Sequence, residues 1–171
     1  MLNEDLTSSI DYWIEALHQY TFTQLCTKPL AHSWSLGEMY LHLIDDASFY
    51  VEQIKICFAS SDHADDEANT FAKSMFKNNS FPDEILPGAP DNDFIPQPNS
   101  KEQLENGLQQ LKIEFNLLST LISQSSFRGK SKHPSFDYFS ARKWMQFAEM
   151  HFRHHRNQKK RIDAFLIDKG H

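Results

Sequence analysis

Ser35-Leu36-Gly37-Glu38 is the stretch from which the fold is read. A serine hydroxyl can accept from the free N–H groups of a helix start, and a glutamate three residues on can reach back to the serine's own N–H. The residues beyond it keep the helical period. Leu36, Met39, Tyr40, Leu43, Ala47, Tyr50, Val51, Ile54 and Phe58 fall on one face. The spacing predicts a helix over 35–60.

Reading outward, three more segments carry the same period. Leu6, Ile10, Trp13, Ile14, Leu17, Tyr20 and Leu25 predict a first helix over about 3–27, ended by Lys28-Pro29. Ser100-Lys101-Glu102-Gln103 repeats the capping-box pattern and opens a third helix over 100–124. Ser140 is the expected N-cap of a fourth, over 140–167, with Trp144, Phe147, Ala148, Ile162 and Leu166 inward. Between the second and third lies a connection from Asp62 to Asn99. It allows a short helix over 65–78, after which Pro82, Pro87, Pro90, Pro96 and Pro98 exclude regular structure. His133 to Phe139 reads as a linker. No run of five or more residues alternates strictly, so no sheet is expected. The fold class is all-α, in one domain over 1–171.

Composition agrees and excludes several functions. A chain of 171 residues can bury about 68–70% of its unfolded surface without help from disulfides. Its net charge is −6, which argues against binding nucleic acid or an anionic membrane. Arg156, Lys159, Lys160 and Arg161 form a basic run, but cations late in a helix are what its dipole favours. Cys26 and Cys57 have no CxxC or CxxH spacing and read as reduced, structural thiols. Met1 to Asp5 lacks the apolar core of a signal peptide, and no apolar run approaches the ~18 residues of a membrane span. The expectation is a soluble cytoplasmic protein.

Nine histidines stand out. His151 and His155 are four residues apart, on one helix face in register with the core stripe. Two imidazoles so placed can share one ion, and His42, at the edge of the second helix's apolar face, is the candidate third ligand. The spacing equally suits two packed core imidazoles, and the residues alone leave both readings open. His154 is a rim group that could replace either neighbour. His18, His32, His63, His133 and His171 show no partner spacing and read as surface or loop residues.

Two of these stretches resemble a known family. Trp34 to Leu43, a tryptophan, a small-residue helix start and then His42, resembles the early motif of the DinB/YfiT-like superfamily. His151-Phe152-Arg153-His154-His155-Arg156-Asn157-Gln158 resembles its late motif, H-x-x-H-H-R-x-Q. His133-Pro134-Ser135-Phe136, with Trp144, is similar to the branch known only as a domain of unknown function. Asn157 departs from the glycine frequent there. The resemblance implies a four-helix bundle, up-down-down-up, with a long proline-rich crossover between the second and third helices. It implies a divalent metal, zinc or nickel, held by His42, His151 and His155.

Similar proteins include thiol-dependent S-transferases, which use bacillithiol, mycothiol or glutathione, as well as isomerases and proteins of no known activity. The resemblance therefore implies a small-molecule substrate and a low-molecular-weight thiol as co-substrate, or water in a hydrolase. Asp45, Asp46 and Glu149 are the candidates to orient a ligand or act as base. Tyr40 is a weaker site candidate, and Trp34 and Trp144 read as core. The alternative is a non-catalytic, metal-binding or stress-associated homodimer, its partner surface formed by apolar side chains on the first and fourth helices.

Overall fold

A computed structural model describes residues 2–82 and 95–168. Pro87, Pro90 and His171 lie outside them. Six helices and one short hairpin are seen among the described residues. The chain is mostly helical.

Helix α1 spans Leu2–Leu17 and buries Leu6, Ile10, Trp13, Ile14 and Leu17. It stops ten residues short of the expected end at Thr27. Thr21 starts a separate short helix, α2 (Phe22–Cys26), with a full capping box of its own: Gln24 N–H donates to Thr21 Oγ1 (3.2 Å), and Thr21 N–H to Gln24 Oε1 (2.8 Å). That T-x-x-Q signal outweighs the continuing apolar period.

Helix α3 spans Leu36–Ala59 and opens as expected. Glu38 N–H donates to Ser35 Oγ (3.1 Å), and Ser35 N–H donates to Glu38 Oε2 (2.7 Å). Glu38 is buried, and Lys28 pairs with its other oxygen at 2.7 Å. Helix α4 (Thr70–Asn78) is shorter than the expected 65–78, because Asn69 caps its start by accepting from Ala72 N–H at 2.9 Å. Helix α5 (Lys101–Gln124) is capped by Ser100.

The linker over 133–139 is instead part of a hairpin, a correction to the sheet-free expectation. Strands β1 (Lys130–His133) and β2 (Asp137–Ser140) pair antiparallel, with Ser131 opposite Phe139 and Lys132 opposite Tyr138. Strands of four residues are too short to display an alternation of five. Ser131 and Phe139 point inward and are buried. Ser131 Oγ accepts from Trp144 Nε1 (2.7 Å) and donates to the Gln53 carbonyl (3.1 Å), which ties the hairpin to two helices. Helix α6 (Ala141–Asp168) follows at once, with Ser140 Oγ accepting from Lys143 N–H.

Helices α1 and α3 each pack against both α5 and α6. Between them, Trp13 Nε1 donates to the Phe152 carbonyl (3.1 Å), and Tyr40 donates its hydroxyl to the Trp13 carbonyl (2.9 Å). The buried side chains of all four helices form one apolar core. No helix among the described residues is long and apolar enough to cross a membrane.

Where the chain enters the hairpin it runs hard against the end of α3. A Cβ on Gly129 would lie 2.3 Å from the Ser60 carbonyl oxygen and 2.5 Å from that of Cys57. Both obstacles are backbone, so neither can swing aside. Gly129→Ala is expected to cost about 1–3 kcal/mol, the usual range for forced overpacking, read as a lowered midpoint in denaturant melts. An unchanged midpoint would show that this contact is slack.

Candidate metal centre

His42 lies on α3 and His151 and His155 on α6, and these two helices pack against each other. The packing brings the three imidazoles to one point. His42 Nε2 is 3.2 Å from His151 Nε2 and 3.2 Å from His155 Nε2, and the latter two are 3.0 Å apart. All three side chains are buried, at 5%, 9% and 8% relative exposure. Among the described residues they form the group able to hold a metal ion.

The surroundings decide which way the lone pairs point. His155 Nδ1 is 2.9 Å from Gln158 Oε1. An amide oxygen only accepts, so the proton of the neutral ring sits on Nδ1 and Nε2 carries the lone pair. His42 Nδ1 faces Asp46 Oδ1 at 3.7 Å, a carboxylate that favours the same tautomer. Burial, with the neighbouring His155 and His42 adding to it, holds His151 well below its ordinary value. Burial, then His42, lowers His155 to about 3. Imidazolium is disfavoured at His151 and His155, and His155 turns its Nε2 lone pair toward the other two rings.

Asp46 stands at the edge of this cluster. Its Oδ2 lies 3.7 Å from His151 Nε2 and accepts from the buried Tyr50 hydroxyl at 3.2 Å. Burial raises its carboxyl to about 6, against a smaller opposing effect of the Tyr50 hydrogen bond. Asp45, one residue back, is exposed.

Glu149 is placed elsewhere. Residues 149 and 151 are about 200° apart around a helix of 3.6 residues per turn. Glu149 is buried, accepts from Arg153 at 2.9 and 2.8 Å, and accepts from Ser9 at 3.3 Å. Tyr40 is fully buried and its hydroxyl is committed to Trp13, which makes it a core residue. Trp144 is core as expected.

Trp34 packs against the core without being buried in it. It is half-buried, its ring tilted 4.8 Å from His42 and stacked 6.4 Å from His155. Three groups at the centre escape a reading of the sequence alone. Tyr50 has a signal, since 42, 46 and 50 repeat at four-residue spacing. Gln158 has one too, three residues beyond His155. Phe81, whose ring lies 6.2 Å from His151 and 5.3 Å from His154, comes from irregular chain after α4 and has none. His154 itself is exposed, its ring 5.3 Å from that of His155. Of the other histidines, His133 departs from the surface reading: it is partly buried, stacked 5.4 Å from Trp144.

Burial lowers His133 to about 4 from an ordinary 6.5. The unfolded chain therefore binds more protons than the folded one between these values, and stability rises with pH there. The metal-free protein is expected to keep its full melting temperature above about pH 6.5 and lose it progressively toward pH 4. His133→Asn, which retains an acceptor for the Ser135 N–H that His133 Nδ1 binds at 3.1 Å, is expected to flatten that slope. A slope unaltered by the substitution would assign the pH dependence elsewhere.

The family model of the DinB superfamily matches residues 5–158. A comparison with curated proteins finds no match.

Proposed function

The chain belongs to the DinB superfamily, and on that premise we propose a metal-dependent enzyme that attacks a small electrophile with an activated thiol or water. His42, His151 and His155 would hold one divalent ion through Nε2. The observation that carries the reading is the separation of these atoms, 3.0–3.2 Å. Three nitrogens about 2.0–2.1 Å from a common ion, at angles of roughly 95–105°, lie roughly 3.0–3.3 Å apart. An all-imidazole donor set suits zinc or nickel, whereas magnesium and calcium prefer oxygen ligands. The same reading takes α1, α3, α5 and α6 as the up-down-down-up bundle and residues 62–99 as its crossover, in one domain over 1–171. The pairwise packing of α1 and α3 on α5 and α6 supports this.

When bound, the ion would supply Lewis acidity, lowering the pKa of a thiol or water. The remaining work falls to the protein. Gln158 and Asp46 orient the imidazoles from outside. Asp46 accepts at Oδ2 the proton that the thiol or water gives up. A carboxyl raised to about 6 suits that task near neutral pH. Tyr50 keeps the carboxylate turned toward His151. Trp34 and Phe81 wall the cluster and limit water. Cys26 and Cys57 are unsuited as nucleophiles, since burial pushes both thiols up. The thiol of a transferase would therefore come from a co-substrate.

Elemental analysis of untagged protein is the first test. About one zinc or nickel per chain is expected, with little in a His151→Ala, His155→Ala double variant. No metal in the parent, even after adding either ion, would return the histidines to packing roles.

A second test assigns the base. With a low-molecular-weight thiol and an electrophile, Asp46→Asn is expected to lower turnover by about 10²–10⁴ while the metal stays bound. Unchanged turnover would remove Asp46 from the mechanism.

A further inference from the structure

A cavity of about 330 Å³ lies at the end of α3 remote from His42. That volume falls within the roughly 300–1,000 Å³ of small-molecule sites. Ile56, at the cavity, is fourteen residues beyond His42 on α3, about 21 Å along the helix.

Three pieces of chain form the walls: the last turns of α3, the turn that follows it and the hairpin. They are pinned together. Lys130 N–H donates to the Asp62 carbonyl (3.0 Å), and Lys130 Nζ donates to the Asp66 carbonyl. His63 Nδ1 donates to Asp66 Oδ2 at 2.8 Å, and its ring stacks 4.3 Å from that of Tyr138. These contacts hold His63 at a φ of 58°, uncommon for a residue other than glycine. Such conformations persist where the surroundings fix them, and they gather at active sites and ligand clamps.

Charge says what the cavity takes. The Asp66 carboxylate is occupied by His63. Asp62 and Lys132 line the cavity, yet among the described residues no ion pair within 4.0 Å joins them to each other or to a third residue. Both are open to solvent. Opposite charges that share a cavity without pairing suit a ligand that carries both. Asp62 stands two residues past the α3 C-cap, Ser60, where the helix dipole is negative and reinforces its pull on a cation. Lys130 and Lys132 share one face of β1 and favour an anion there. Apolar surface is also on offer. Ile56 is 49% exposed, and the Tyr138 ring, 5.9 Å from Lys132 Nζ, lies across the hairpin.

We propose that this cavity binds a free α-amino acid with an apolar side chain. The ammonium meets Asp62, the carboxylate meets Lys132, and the side chain lies against Ile56 and Tyr138. The site is independent of the cluster at His42, His151 and His155, and its test does not require metal.

Calorimetric titration of the full chain, in EDTA so that no metal chelates the probe, compares three compounds. L-phenylalanine carries both charges, 3-phenylpropanoate lacks the ammonium and phenethylamine lacks the carboxylate. Phenylalanine is expected to bind at millimolar concentration or below. Each of the other two is expected to bind about tenfold or more weakly, because one charge-assisted contact is lost. Asp62→Asn is expected to abolish the preference over 3-phenylpropanoate, and Lys132→Gln the preference over phenethylamine. Circular dichroism of both variants should be unchanged, since both positions are exposed. Binding is expected to survive in the His151→Ala, His155→Ala double variant. No binding of phenylalanine, equal binding of the three compounds, or preferences that survive the substitutions would overturn the proposal. So would loss of binding in the double variant, which would move the ligand to the histidine cluster.

Discussion

Three buried imidazoles meet inside this protein with their Nε2 atoms 3.0–3.2 Å apart, and much of the structure around them serves that contact. Wherever two unprotonated Nε2 atoms face each other at that range, their lone pairs repel. Two ordinary ways of relieving such repulsion are disfavoured on α6. A proton is disfavoured because burial and neighbouring rings hold His151 and His155 in the neutral form. Turning the His155 ring would break its bond from Nδ1 to Gln158. A group of three buried imidazoles so arranged could hold a metal ion.

Holding the nitrogens together requires that α3 and α6 keep their register. Helix α3 is anchored at its start by the reciprocal bonds of Ser35 and Glu38 and by Lys28 on the buried carboxylate. Gly37 lets the chain approach closely there, since a Cβ would lie 2.7 Å from Pro98 Cγ and 3.0 Å from the Leu25 carbonyl oxygen. Helix α6 is fixed beside the histidines by the bond from Trp13 to the Phe152 carbonyl. At the far end, the hairpin clamps both helices through Ser131. The apolar core supplies most of the cohesion, and these polar ties set the phase of each helix about its axis.

Charge is kept to one side of the cluster. Asp46 is the carboxylate placed against both helices' imidazoles, and Tyr50 fixes its direction. Glu149, more deeply buried, is neutralised by Arg153 on the opposite face of α6. Along α6, about half a turn of helix separates the imidazole of His151 from the structural ion pair of Glu149.

Periodicity and caps determined the helices. Ser35 and Ser100 mark α3 and α5 to within a residue, because capping is local chemistry between neighbours. The same chemistry at Thr21 divides α2 from α1, although the apolar period alone merges the two. Helical spacing also places His151 beside His155, and the family motifs add His42. Only the tertiary structure decided the rest. Whether three histidines converge depends on the rotation of α3 against α6, which no local rule sets. Phe81 reaches the site because chain distant in sequence folds over it. The hairpin exists because Ser131 and Phe139 find buried partners on α3 and α6, a reward that four-residue strands cannot announce in advance.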